Sequence, residues 1–206
     1  DVLFIGDSHT VGAFGAKLDA WIRSQLTGAS TLASYGSCAS RISHWYHGFT
    51  TTCRYVARPR EYDPTTDERI VPARSGRTPR IRSLLQQDRP ALTIIELGAN
   101  QLGYEDRYNR AWVRIIKEDL QRYSRQCVWI GPPNGPNKSP VRLERFYNVL
   151  REELGTTCTI IDSRAVTRIV EGETNPHLDN MGEEGREIIQ DWVEYSARVI
   201  QPLLNR

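Results

Sequence analysis

VLFIGDSHT, residues 2–10, decides the fold. Residues 2–5 are an unbroken apolar run closed by Gly6, which suits a parallel strand buried on both faces. Asp7 and Ser8 make a tight turn, and a helix is expected to begin near Thr10.

The same rhythm recurs outward from this stretch. Residues 15–26 place Leu18, Trp21, Ile22 and Leu26 at helical spacing, and residues 30–35 read as a second strand ending at Gly36. Residues 91–97, ALTIIEL, are the clearest strand and stop at Gly98. An amphipathic helix over 107–125 carries Trp112, Ile115, Ile116, Leu120 and Tyr123 on one stripe. A strand over 127–130 is broken by Gly131-Pro132-Pro133, a helix follows over 140–154, and a strand over 158–162 precedes a last helix over 181–204. Strands alternating with helices predict an α/β chain: a three-layer α/β/α sandwich around a five-stranded parallel sheet, residues 1–206 forming a single domain. In such sheets the working groups gather at the carboxyl ends of the strands. Those ends read GDSH, YGSC, GAN, GPPNGPN and DSR.

Residues 41–79 break the rhythm. They hold no sustained period of 2 or 3.6, with Trp45, Tyr46, Phe49 and Tyr55 near the start and Arg58, Arg60, Arg69, Arg74 and Arg77 after them. The stretch is either a lid or rim beside the site, with Trp45 and Tyr46 facing substrate, or a solvated insertion.

Composition narrows the classes. With 206 residues the chain has mass for a hydrophobic core of its own. A formal charge of +2 does not call for a nucleic-acid partner, and no apolar run approaches the roughly 18 residues of a membrane span. The 27 basic residues include only Lys17, Lys117 and Lys138 as lysines, which reads as gene base composition or as a surface for anions; the near balance of charge favours the former. Asp1 leads straight into a strand with no initiator Met, so removal of an upstream segment is expected.

The four cysteines, Cys38, Cys53, Cys127 and Cys158, have no CxxC or CxxH spacing, and no metal site is expected. A bridge closing the 15-position loop from Cys38 to Cys53 is worth on the order of 3 kcal/mol. Cys127 and Cys158 each open a predicted strand and can pair if those strands are neighbours. Four buried thiols in a reducing compartment are the alternative; one or two disulfides in an exported, periplasmic or secreted, protein are the expectation adopted.

Ser8 lies at a strand end with its N–H beside a helix start, a position equally suited to a helix cap and to a nucleophile. Gly36 and Asn100 end two further strands. The Ser8 and Gly36 amides with the Asn100 side chain supply three donors, the set that a tetrahedral oxyanion needs. His177, in TNPHLDNMG before the last helix, is the candidate base. His9 adjoins Ser8 on the helix side, and His44 and His47 lie in the irregular stretch.

These residues resemble the blocks of the SGNH (GDSL-like) hydrolase family: Gly6-Asp7-Ser8 the first, Gly36 the second, Gly98-Ala99-Asn100 the third, and His177-Leu178 with Gly182 the last. The resemblance runs over nearly the whole chain. It implies a flavodoxin-like fold, Ser8 as nucleophile, an oxyanion hole of Ser8, Gly36 and Asn100, His177 as base, and no cofactor. Two positions depart from the pattern. Thr174 stands where the family usually has an Asp three residues before the His, leaving a Ser–His dyad or a triad whose acid is Glu173 or lies elsewhere. Asp179 reads as the cap of the final helix, and Gln101 stands where many relatives have Asp. The implied activity is hydrolysis of a carboxylic ester, with an O-acetyl group on a cell-wall or other extracytoplasmic carbohydrate as the favoured substrate. Acyl transfer, a lipid ester, or a glycan- or anion-binding module without turnover are the alternatives. Oligomeric state is not legible.

Overall fold

The computed structural model describes residues 1–63, 65, 70–170, 178 and 182–204. Five parallel strands, β1 (Val2–Gly6), β2 (Leu32–Ser37), β6 (Leu92–Glu96), β7 (Gln126–Ile130) and β8 (Thr159–Ile161), form the expected sheet. A sixth, β4 (Tyr55–Arg58), adds antiparallel to the edge of β2, giving the order β4-β2-β1-β6-β7-β8. The sheet is therefore mixed, not all-parallel. The added strand comes from the stretch read as irregular, where four residues are too few to show a period.

Alternation along the strands splits the core in two. Leu3, Ile5, Ile95 and Trp129 face one layer, made of α3 (Ile42–His47), α4 (Ile81–Asp88), α5 (Asp106–Tyr123) and α6 (Pro140–Leu154). Val2, Phe4, Ile94, Val128 and Ile130 face the other, made of α2 (Ala13–Gln25) and α7 (Gly182–Leu204). With both faces covered, the central strands have no solvated side, which is why they read as continuous apolar runs. A short α1 (Ser8–Val11) joins β1 to α2, and a two-stranded ladder pairs β3 (Thr50–Thr51) with β5 (Gly76–Arg77).

Both cysteine pairs are bonded. Cys38–Cys53 ties the end of β2 to the approach to β4, and Cys127–Cys158 joins β7 to the residue before β8. The register Val128↔Thr159 makes the second pair cross-strand neighbours. The two bridges lie at opposite ends of the sheet, the first at the carboxyl end of β2 and the second near the amino ends of β7 and β8.

Candidate active site

At the carboxyl edge of the sheet, Gly6 is in register with Gly36 on β2 and Glu96 on β6. The chain then turns through Asp7 into α1. Asp7 caps that helix, its Oδ1 accepting the His9 N–H at 3.0 Å, so Ser8 becomes the first helical residue and is half-buried. A first-turn N–H has no acceptor within its own helix, so the Ser8 amide is placed to donate outward.

Behind Ser8 lies a buried polar network. The Asp7 N–H donates to the Glu96 carbonyl at 3.1 Å and approaches Glu96 Oε2 at 3.3 Å, while the Thr10 hydroxyl donates to the same Oε2 at 3.1 Å. Asp7 and Glu96 are both fully buried. Burial pushes the Asp7 carboxyl up to about 6 against the opposing pull of the His9 N–H and Lys138. Burial, then the charge of Asp7, pushes Glu96 well above the usual carboxylate range. Lys138 is pushed down to about 8 by burial, with Asp7 and Glu96 pulling the other way. Two adjacent buried carboxyls do not readily ionise together. Burial and mutual repulsion therefore favour a single negative charge shared by the pair, with the Lys138 cation beside it.

The Lys138 ammonium donates to the Pro133 carbonyl at 3.1 Å and lies 3.3 Å from His9 Nε2. An ammonium has no lone pair, so that ring nitrogen accepts and carries no proton while Lys138 is charged. The His9 ring sits edge-on to Trp192, with centroids 5.4 Å apart.

Asn100 reaches the same edge from β6. Gly98 turns the chain at φ +146°, and a Cβ there would lie 2.4 Å from the Phe146 ring. The Trp129 indole fixes the preceding carbonyl, donating to Leu97 O at 2.9 Å. The Asn100 Nδ2 then donates to the Ser40 carbonyl at 3.1 Å and to Asp7 Oδ2 at 3.3 Å, linking the ends of β1, β2 and β6. Gln101, one residue on, is buried and turns away: its Nε2 donates to Asn109 Oδ1 at 3.4 Å, on α5.

Gly36 does not lie where a free donor would. It sits inside β2, paired with Gly6 on one side and Val56 on the other. The Cys38 N–H donates to Arg54 O at 3.0 Å, and the two-residue period of an antiparallel ladder then directs the Gly36 N–H at β4 as well. The missing side chain serves close packing: a Cβ would stand 2.8 Å from the Val11 backbone nitrogen on α1.

The expected rim pair also needs correcting. Trp45 is fully buried, and its indole donates to Ser40 Oγ at 3.2 Å, bracing the turn after β2. Tyr46 donates to Asp119 Oδ2 at 2.7 Å, and burial followed by that bond pushes its hydroxyl well above the usual phenol range. On a short helix packed against the sheet, one ring enters the core and the other leans on α5. His177, Glu173, Thr174 and Asp179 lie outside the described residues. His44 and His47 are on α3.

Sequence reasoning passed over Glu96, Lys138, Ser40 and Arg41. A charge inside the apolar run ALTIIEL was the available signal for Glu96. A rare lysine in the loop between β7 and α6 was the signal for Lys138. Nothing local marked Ser40 or Arg41.

No family model matches the sequence, and none of the curated proteins matches it. Solved structures do resemble it. The psychrotrophic esterase EstA from Pseudoalteromonas, inhibited by monoethylphosphonate, is similar at 14% identity over 100% of this chain and 98% of its own, with a TM-score of 0.59. A variant of the acetyl-xylooligosaccharide esterase Axe2 from Geobacillus is similar at 15% identity over 96% and 92%, TM-score 0.55. A GDSL-like lipase from Bacteroides thetaiotaomicron is similar at 12% identity over 96% and 87%, TM-score 0.54. The shared feature is the fold, which is that of GDSL-like hydrolases.

Proposed function

We propose that this chain, built on the fold of the SGNH (GDSL-like) hydrolases, is a serine esterase with Ser8 as nucleophile. One observation carries the reading: the Asn100 amide reaches across three strand ends to Asp7, the residue before Ser8, at a helix N-terminus. A carbonyl held there meets a hydroxyl on one side and donors on the other.

In the proposed reaction the Ser8 oxygen attacks the ester carbon and its proton passes to His177. The Ser8 N–H and the Asn100 amide stabilise the oxyanion, the 3.3 Å bond from Asn100 to Asp7 being the one exchanged for it. The ester C–O bond then breaks, the leaving oxygen takes the proton from His177, and an acyl-serine remains. Water, deprotonated by His177, attacks the acyl carbon, releasing the carboxylic acid and restoring the hydroxyl. Glu173 or a backbone acceptor orients His177 in this reading, since Thr174 has no carboxylate.

An O-acetyl group on an extracytoplasmic carbohydrate is the proposed substrate. Two disulfides support export, and among the described residues no helix is long and apolar enough to cross a membrane. The resemblance to a structure described as an acetyl-xylooligosaccharide esterase supports a sugar ester.

Labelling with a serine-directed fluorophosphonate tests the nucleophile. The native chain is expected to label and to hydrolyse 4-nitrophenyl acetate, with Ser8→Ala losing the label and about 10⁴-fold or more in kcat. A folded native chain that neither labels nor turns over would identify a binding module instead.

A further inference from the structure

Arg41 stands one residue beyond Ser40, whose carbonyl holds the Asn100 amide, so its position at the edge of the site follows from the turn itself. Its guanidinium is held from two sides. The Nε and Nη2 groups face His44 Nε2 at 3.2 and 2.7 Å, and the central carbon lies 4.8 Å from the centroid of the Tyr104 ring. Tyr104 is backed by Tyr108, the two rings stacking at 4.9 Å, and the Tyr108 hydroxyl donates to Ser43 Oγ on α3 at 3.1 Å. His44 is itself fixed by stacking on Phe49 at 4.0 Å.

In this cradle the guanidinium is held by rings, not by a carboxylate. Burial, with Arg41 and His47 adding to it, pushes His44 down to about 4, so at neutral pH its ring is uncharged and its Nε2 accepts from Arg41. Neither histidine nor tyrosine neutralises the guanidinium. Among the described residues Arg41 has no carboxylate partner, whereas Arg23, Arg60, Arg82, Arg110 and Arg164 each have one. A guanidinium has five N–H donors, and His44 occupies the Nε–Nη2 side. Among the described residues no partner takes the Nη1–Nη2 end, which matches a carboxylate in bidentate fashion. Lys138 bonds the Pro133 carbonyl, lies against His9, and is drawn by the charges of Asp7 and Glu96.

We infer that Arg41 is the specificity-determining residue for an acidic substrate: the acylated sugar carries a carboxylate close to its ester, and the open end of the guanidinium grips it. The inference rests on the esterase reading and narrows its substrate class to esters of uronic-acid or other carboxylate-bearing glycans. Tyr104 and His44 are positioning residues that hold the fork before substrate arrives, so little side-chain freedom is lost on binding.

The test compares an O-acetylated galacturonate oligomer with an O-acetylated xylose oligomer. The native chain is expected to show a kcat/KM ratio of at least tenfold in favour of the acidic oligomer. That ratio should fall towards one in Arg41→Gln, recover in part in Arg41→Lys, and shrink for the native chain as salt is raised. Calorimetry on Ser8→Ala and on the double variant Ser8→Ala/Arg41→Gln separates recognition from catalysis. Binding of the acidic oligomer that weakens at least tenfold on loss of Arg41 supports the inference even if the native chain turns over neither oligomer, a result that would sink the esterase reading alone. Equal binding of both oligomers to Ser8→Ala, no binding of either, or a preference unchanged in Arg41→Gln overturns the inference whatever the turnover shows.

Discussion

Lys138 shows what one residue does when its chemistry differs from that of its alternatives. An arginine there would stay charged at every pH the protein meets, whereas burial pushes this ammonium down to about 8 despite the carboxyls beside it. Lys138 attracts Asp7 and so holds its carboxyl lower than burial alone would. Replacing it with methionine keeps the stem and removes the charge, so Asp7 is expected to rise further above about 6. The sign of the stability effect follows from linkage. A folded-state value above the unfolded value of 3.8 means the native state holds the proton more tightly, so stability declines as pH climbs from about 4 to about 6. His44 acts in the opposite sense, adding stability as pH rises from about 4 to 6.5, and cancels when the two proteins are compared. Between about pH 4 and about pH 7.5 the thermal midpoint of Lys138→Met should therefore fall relative to that of the native chain, because Asp7 and the coupled Glu96 both lose the ammonium's pull. A difference in midpoint that does not change with pH would show that the ammonium acts on neither carboxyl.

At the scale of the element, α1 is only four residues long and could not persist in isolation. Its position is imposed by what surrounds it. A Cβ on Gly6 would meet the Thr10 hydroxyl at 1.9 Å, one on Gly15 the Thr10 carbonyl at 2.1 Å, and one on Gly36 the Val11 nitrogen at 2.8 Å. Three absent side chains thus let β1, β2 and α2 close on the turn that carries Ser8. The contact at Gly36 is with backbone and cannot be relieved by rotating a side chain. Gly36→Ala is expected to destabilise the fold by about 1–3 kcal/mol by urea denaturation and, on the proposed esterase reading, to lower kcat because α1 and Ser8 move with the strain. A variant as stable and active as the native chain would show that α1 does not need this close approach. The same packing explains why Gly36 resembles a donor in sequence yet works as a spacer.

Over the whole molecule, the two disulfides constrain different parts of the chain. Cys38–Cys53 closes 15 positions at the site edge, and Cys127–Cys158 closes 31 at the other end of the sheet. Restricting the unfolded chain in this way is worth about 3 and about 3.7 kcal/mol, respectively, in the chain-entropy picture. For a chain of this size each kcal/mol corresponds to roughly 2–4 °C, so full reduction is expected to lower Tm by more than about 10 °C. Scanning calorimetry with and without a thiol reductant on urea-exposed, refolded protein checks this. Removing only the first bridge as Cys38→Ser/Cys53→Ser should in addition loosen the turn holding Ser40 and Arg41, and so affect turnover more than the second pair does. Some of the arginines sit in carboxylate pairs, such as Arg23 with Asp19 and Arg114 with Glu153.

The sequence by itself determined the layered α/β fold, the five parallel strands and the strand ends bearing Ser8 and Asn100, because burial on both faces leaves unbroken apolar runs and turn residues at their ends. Those are local signals, readable within a window of a few residues. Which partners surround Glu96, Lys138, Arg41 and Gly36, and that Trp45 lies in the core, are visible only in the tertiary structure. Each depends on partners far away in the chain: Glu96 on Asp7, Lys138 on His9, Arg41 on Tyr104, and Gly36 on the parity of its ladder with β4. Burial and charge are properties of the surroundings, and no spacing along the chain encodes which surroundings will close around a residue.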